Sequence, residues 1–370
     1  MHVTVDAAPL RAAAQRACRA SGGKHNGTDH VRLLTVEAGL ELAATDLEIG
    51  LAEVVPSTVR ESGSAAVPAR PLAEFLRVSA ADTVELRAAN GRMTIRAGAT
   101  SGSLQTRAVD ECPTFPVDGG ELAPVDGALV LEVLRRTIMA AAERESRPQL
   151  TGVLLTVERR DDQCMLRAVA SDGVRLAFAE QPVSSLGPSW DGVAALVPKK
   201  AAAELVRLLV EQEQPELSWL CTVDRIIARV GSVRVGARLI DQRYPDVDRV
   251  WPRRITTRIT VARRELIAAV RRMSVVADDA RHAVQLSASR GALLLSARDP
   301  AYGEAREEVA ADYDGAGVVT GFDAVLLLSL LDVPRGEQVV LESQEPYGPW
   351  VVRDPDMAAW RALIMPVRLA

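Results

Sequence analysis

The sequence predicts an α+β protein built from three repeats of one domain type. Three observations carry this: an order of strand and helix patterns that recurs, helices whose apolar residues return every three or four positions, and a length beyond one domain. The chain has 370 residues, 48% hydrophobic and 25% charged. At roughly 150 residues per domain it holds two or three. Such a composition buries sizeable cores and excludes wholesale disorder.

Each repeat opens with a strand that passes into a helix. The first begins at His2-Val3-Thr4-Val5, with helical spacing through Leu10, Ala13, Ala14 and Ala17. The second begins at Ala128-Leu129-Val130-Leu131, read as a strand, with Leu134, Ile138 and a run of alanines as its helix. The third begins at Thr257–Val261 and continues through Leu266, Ile267 and Val270. Alternating strands follow at Arg32–Val36 and Leu40–Ala44, at Gly152–Val157 and Met165–Val169, and at Ala283–Ser287 and Ala292–Ser296. A second helix recurs at Pro68–Leu76, Pro198–Leu209 and Phe322–Leu331, each followed by two more strands. A period of about 125 residues is too long for a solenoid. Pro- and Gly-rich interruptions near Pro116–Pro124 and Pro252–Thr256 place the domains at 1–120, 121–254 and 255–370.

Catalytic constellations are missing from the pattern. There is no phosphate-binding glycine loop, no H-E-x-x-H and no G-x-S-x-G. Cys18, Cys112, Cys164 and Cys221 lie far apart, and four histidines are too few for an evident metal cluster. His25 and His30 read as parts of a polar loop. The expectation is a non-enzyme without cofactor or metal. No stretch approaches roughly 18 uninterrupted apolar residues, so no spanning helix is expected. The N-terminus MHVTVDAAPL lacks a secretory pattern. A cytoplasmic protein with reduced thiols follows as the expectation.

Charge leaves nucleic acid open despite its sign, with solvated helix faces as the other reading of the basic residues. Lys and Arg number 44 against 49 Asp and Glu, a net charge of −5. The basic residues gather on the helices: Arg11, Arg16 and Arg19 in the first repeat, Arg135, Arg136 and Arg207 in the second, Arg263, Arg264, Arg271 and Arg272 in the third. The strands carry Glu37, Glu41, Glu53, Glu158, Glu307 and Glu308. Basic helix faces with an acidic sheet reconcile phosphate attraction with a negative total.

Several phrases then make a family recognisable. They include Thr45-Asp46-Leu47-Glu48, Ala66-Val67-Pro68-Ala69-Arg70, Phe115-Pro116, Leu150-Thr151-Gly152 and Ala170-Ser171-Asp172-Gly173-Val174-Arg175-Leu176-Ala177. Val197-Pro198-Lys199-Lys200, Arg243-Tyr244-Pro245-Asp246 and the final Met365-Pro366-Val367-Arg368-Leu369 complete the set. In this order the chain resembles the bacterial sliding clamp, the beta subunit of DNA polymerase III, over essentially its whole length. The last phrase looks like that of an actinobacterial clamp.

The resemblance implies three clamp-type domains, each with two helices against antiparallel sheet, and a head-to-tail homodimer closing a six-domain ring around double-stranded DNA. It implies as partners the replicative polymerase, the clamp loader and other proteins bearing a clamp-binding peptide, and no membrane. For DNA it points to Lys24, Arg70, Arg144, Arg147, Lys199 and Lys200. For a partner-peptide pocket it points first to Leu150, Ser171, Gly173, Val174, Arg175 and Leu176. Pro245, Arg249 and Val250 form a second wall, with Leu363, Met365, Pro366, Val367, Arg368 and Leu369 from the tail. Leu104, Val275 and Val276 match dimer-interface positions. Val174 stands where the family often has histidine, and Ser171 where threonine is common. A specialised paralogous clamp, for repair or antibiotic resistance, and a non-clamp structural protein remain the alternatives.

Overall fold

The structure, a computed structural model, describes residues 1–23, 26–143, 147–160, 163–184, 190, 193–278 and 281–369. Its element order displays the repeat. The first run is β1 (His2–Asp6), α1 (Ala7–Ala20), β2 (His30–Val36), β3 (Gly39–Thr45), β4 (Ile49–Val55) and β5 (Ser57–Glu61). It continues with β6 (Ser64–Pro68), α2 (Ala69–Val78), β7 (Thr83–Ala89), β8 (Arg92–Ala97) and β9 (Thr100–Gln105). The second run is β10 (Ala123–Asp126), α3 (Gly127–Arg135), β11 (Gly152–Arg160), β12 (Gln163–Ser171) and β13 (Arg175–Val183). Then come β14 (Ala194–Pro198), α4 (Lys199–Val210), β15 (Glu216–Cys221), β16 (Arg225–Val230) and β17 (Val233–Arg238). The third is β18 (Thr257–Ala262), α5 (Arg263–Ser274), β19 (Ala283–Ser289), β20 (Ala292–Asp299) and β21 (Gly303–Asp312). It ends with β22 (Val318–Asp323), α6 (Ala324–Leu331), β23 (Gln338–Ser343), β24 (Trp350–Arg353) and β25 (Trp360–Ile364).

Three expectations need correction. Helix α3 ends at Arg135, so Ile138 lies in a separate 3-10 turn, Ile138–Ala140, and the alanine run falls beyond the helix. Ala128–Leu131 is helical, and the opening strand of the second run lies upstream at β10. The buried residues Val130, Val133 and Leu134 have helical spacing, while Pro124 hid the strand. Each second helix is also followed by three strands, not two. Short, weakly alternating segments such as Thr100–Gln105 conceal the third.

The chain clusters into two compact bodies. The first comprises Met1–Ala128, Ser185–Val193 and Ala203–Leu239. It holds a five-stranded sheet in the order β5-β1-β7-β8-β9 and an eight-stranded sheet in the order β10-β15-β16-β17-β4-β3-β2-β6. Helix α1 buries Leu10, Ala13, Ala14 and Ala17, and the three small alanines let it approach α2 and the strands closely. The eight-stranded sheet passes from the first run to the second where β4 pairs with β17, with Gly50 opposite Gly236. Phe115 lies over both glycines. A Cβ on Gly50 would sit 2.3 Å from the Phe115 Cβ, and one on Gly236 2.9 Å from its ring. Beside this joint, Arg16 donates to both carboxylate oxygens of Glu53 at 2.9 and 2.8 Å and to Glu211 at 2.6 Å. Arg19 grips buried Glu204 at 2.8 and 2.7 Å.

The second body comprises Leu129–Ser184, Ala194–Ala202 and Ile240–Ala370. Its twelve strands run in the order β14-β11-β12-β13-β25-β24-β23-β18-β21-β20-β19-β22. Here β13 pairs with β25, joining the second run to the third. This is the same joint as β4 with β17: the third strand after the first helix meets the last strand of the following run. The corresponding strands left over are β21 and β9. Among the described residues β9 pairs only with β8, and β21 pairs along its length with β20, meeting β18 only at Ala311 and Asp312.

All four cysteines are free. Burial raises the thiol of Cys221 to about 11 and that of Cys112 upward as well, which starves both of reactive thiolate. Iodoacetamide at pH 8 is therefore expected to label the half-buried Cys18 and Cys164 first, as read by peptide mass mapping. Gly50→Ala is expected to cost about 1–3 kcal/mol in urea unfolding of the full chain, because the new methyl has no room beneath Phe115.

Candidate functional site

An apolar cluster forms where β13 meets β25 in the second body, at positions the resemblance assigns to a partner-peptide groove. Side chains alternate along a strand, so Leu176 and Phe178 share a face with their cross-strand partners Leu363 and Arg361. Val169, opposite Phe178 on β12, joins them. Val169, Leu176, Phe178 and Leu363 make one apolar cluster, on which Leu154, Tyr244, Val247 and Trp251 pack. Aromatic residues are only 4% of the chain, so three at one cluster mark a built surface.

The β12–β13 turn shapes the mouth. Ser171 Oγ donates to the Arg175 carbonyl at 2.8 Å and accepts from the Gly173 N–H at 3.1 Å. Asp172 Oδ1 accepts the N–H groups of Val174 and Arg175 at 3.0 and 2.8 Å, and Oδ2 accepts from Arg175 Nε at 2.9 Å. Gly173 has φ +91°, a conformation other residues resist. Arg147 lies so close that a Cβ on Gly173 would be 2.5 Å from its Nη2. The turn thus presents Val174, 41% exposed, beside Met365, 38% exposed. The Met365 N–H donates to the Val174 carbonyl at 2.8 Å. The Arg175 guanidinium also bonds Ser329 Oγ on α6.

The second wall comes from an irregular segment. Tyr244, Val247 and Trp251 turn toward the cluster, leaving Pro245, Arg249 and Val250 exposed. Arg249 pairs with Asp246 at 2.7 Å. Burial pushes the Tyr244 phenol well above its ordinary pKa. Leu150 is buried in the turn Pro148–Leu150 that follows Arg147.

Beyond Met365 the tail leaves the groove. The Val367 N–H donates to the Gly321 carbonyl on β22 at 2.8 Å. Leu369 covers Gly321, where a Cβ would meet its Cδ2 at 2.4 Å. The Arg368 carbonyl accepts from Arg281 at 3.3 Å. Ser171, Gly173, Val174, Arg175, Leu176, Leu363 and Met365 therefore come together, while Val367, Arg368 and Leu369 lie along β22, with Pro366 between. Phe178, Tyr244, Trp251 and Arg361 escaped the sequence reading. The two-residue spacings Leu176–Phe178 and Arg361–Leu363 were the signal for two of them.

Many basic helix residues prove to be internally occupied. Arg16, Arg19 and Arg272 hold carboxylates, and Arg263 donates to the carbonyls of Gly336 and Leu331. Lys199 Nζ donates to Glu143 and to the Ala141 carbonyl, both at 2.7 Å. Arg70 is exposed in the first turn of α2, and Lys200 is exposed in the first turn of α4. Within the second body, α3 and α6 border a cleft of about 460 Å³ lined by Arg135, Arg136, Arg263 and Arg335, with Glu132 and Asp332. Lys24 and Arg144 lie outside the described residues. No cluster of three or more metal-ligating residues occurs among the described residues.

Comparison with known proteins decides the family. Models of the DNA polymerase III beta subunit match three consecutive segments: its N-terminal domain at 29–116, central domain at 124–246 and C-terminal domain at 248–368. The chain belongs to the DNA polymerase III beta subunit family. The beta sliding clamp of Pseudomonas aeruginosa is 31% identical over 341 residues, 91% of each chain. That of Chlamydia muridarum is 29% identical over 342 residues, 92% of this chain and 91% of the relative. Among solved structures, the sliding clamp of Bartonella birtlesii bound to griselimycin matches with a TM-score of 0.91 at 27% identity. The beta subunit of Thermotoga maritima matches with 0.89 at 25%. Both comparisons cover the whole of each chain.

Proposed function

We propose that this protein is a DNA sliding clamp: two copies close head to tail into a six-domain ring that encircles duplex DNA and tethers a polymerase. The observation that carries this reading is the unused pair of strand edges. The joints β4–β17 and β13–β25 are equivalent in the repeat, and β21 and β9 are the strands left without that joint. Two copies satisfy both, since β21 of each can meet β9 of the other. Two identical heterologous junctions close the assembly. Leu104 on β9 and the residues that follow α5, Val275 (76% exposed) and Val276, supply the apolar part of this interface.

Domains at 1–120, 121–254 and 255–370 then each contribute two helices to the hole. Arg70, Arg147, Lys199 and Lys200, together with Lys24 and Arg144, act as dispersed phosphate contacts that carry no sequence information. Arg147, lying against Gly173, also borders the peptide groove. Enclosure supplies processivity, so the role demands no catalytic group and no cofactor. The polymerase, the clamp loader and other partners bind through short peptides whose apolar anchors enter between Val174, Leu176, Leu363 and Met365. A site in the cytoplasm accords with this role; no helix among the described residues is long and apolar enough to cross a membrane. The comparisons favour neither a specialised paralogue nor a purely structural protein.

Loaded by a compatible clamp loader and ATP, the protein is expected to stay on nicked circular DNA and to escape after linearisation. Equal retention on both forms, with a loader proven on a control clamp, would overturn the ring. Leu104→Asp buries a charge in the proposed junction. Light scattering should then find the 39.7 kDa monomer in place of the dimer.

A further inference from the structure

The groove has a cationic end that its apolar floor does not explain. One pleat beyond the Leu176–Leu363 pair stand Phe178 and Arg361, on the same face of the sheet. The Arg361 guanidinium lies over two rings, 4.1 Å from the centroid of Trp251 and 5.0 Å from that of Phe178. Both rings belong to the apolar groove cluster or pack directly on it. Arg361 is half-buried, and its Nε is enclosed without an acceptor.

Its basic neighbours are served and Arg361 is not. Arg167, which approaches the same Phe178 ring, bonds Glu158 and, at 3.1 Å, Glu180. Arg353, the cross-strand partner of Arg361 on β24, holds Glu342 at 2.8 Å. Among the described residues no carboxylate reaches salt-bridge distance of Arg361; Asp248 and Glu180 act on it only from farther away. Burial and the repulsion of Arg353 disfavour its charge, yet an arginine side chain does not give up its proton. A half-buried cation with no carboxylate partner among the described residues is an unfavourable arrangement that a bound anion relieves.

We propose that Arg361 is the specificity determinant of the peptide groove, and that it takes a carboxylate of the bound partner peptide. The inference rests on the reading of the groove as a peptide site and adds the chemistry of the residue beyond the anchors. Two residues along an extended strand cover about 7 Å. The acid therefore sits about two residues beyond the apolar anchor that lies over Leu363, at the end away from Met365. An aspartate or glutamate side chain and a free chain terminus both supply that carboxylate. The two ring contacts restrain the guanidinium, so little side-chain entropy is lost on binding.

Fluorescence anisotropy on the full chain tests this with four synthetic peptides sharing the same apolar anchors. One has aspartate two residues beyond the anchor, one has asparagine there, one ends there in a free carboxylate and one ends there in an amide. The wild-type protein is expected to bind each carboxylate form about tenfold more tightly than its neutral counterpart. A preference within one pair only names the source as side chain or terminus. Arg361→Gln should erase the preference while still binding the neutral peptides. Arg361→Lys should retain only part of it, since ammonium lacks the planar fork. Equal wild-type binding of acidic and neutral peptides would overturn the inference and leave the groove reading standing. Equal loss of every peptide in Arg361→Gln would also overturn it, making the residue a packing strut for Trp251. Failure of wild type to bind any of the peptides would sink the groove reading and the inference together.

Discussion

Strand edges impose the constraint on which this architecture depends. An edge strand leaves a row of N–H and C=O groups without partners, and the repeat settles this in one way each time. The third strand after the first helix of a run pairs with the last strand of the next. At β4–β17 the joint is narrow enough to need glycine on both strands, with Phe115 above them. At β13–β25 the same pairing carries larger side chains, and the apolar cluster is the result. One structural solution therefore gives a glycine seam under Phe115 in the first body and an apolar cluster capped by aromatic residues in the second.

Charge is organised at two levels. Carboxylates inside the first body, such as Glu53 and Glu204, are only 5% and 2% exposed, and each takes an arginine from α1. Buried carboxylates left alone would be costly, so these arginines belong to the joint rather than to a ligand. Arg70 and Lys200 stay exposed, and Arg147 and Lys199 sit beside the loop and turn that follow α3. A basic helix counted from sequence therefore overstates the charge offered to a phosphate backbone.

The repeat was legible because the long apolar patterns obey simple periods. Leu10, Ala13, Ala14 and Ala17 read directly as a buried helix stripe, and Met165–Val169 as a strand. The second run misled because Val130, Val133 and Leu134 sit among other apolar residues, so a helix looked like a strand. The candidate peptide site was legible only through the phrases that carry the resemblance, such as Met365–Leu369. Trp251 and Tyr244 could not be placed from sequence, since they belong to an irregular segment with no period to orient them. Arg361 reads as one more strand arginine until the fold sets it over two rings distant in sequence.

The joints within a chain and the proposed joint between chains obey different laws. The pairings of β4 with β17 and of β13 with β25 connect segments of one polypeptide, so dilution leaves their effective concentration unchanged. The edges of β9 and β21 meet only when two molecules do. Closure there follows mass action. Concentration measured against the dissociation constant of that joint, rather than fold stability alone, then sets how much of the protein is closed.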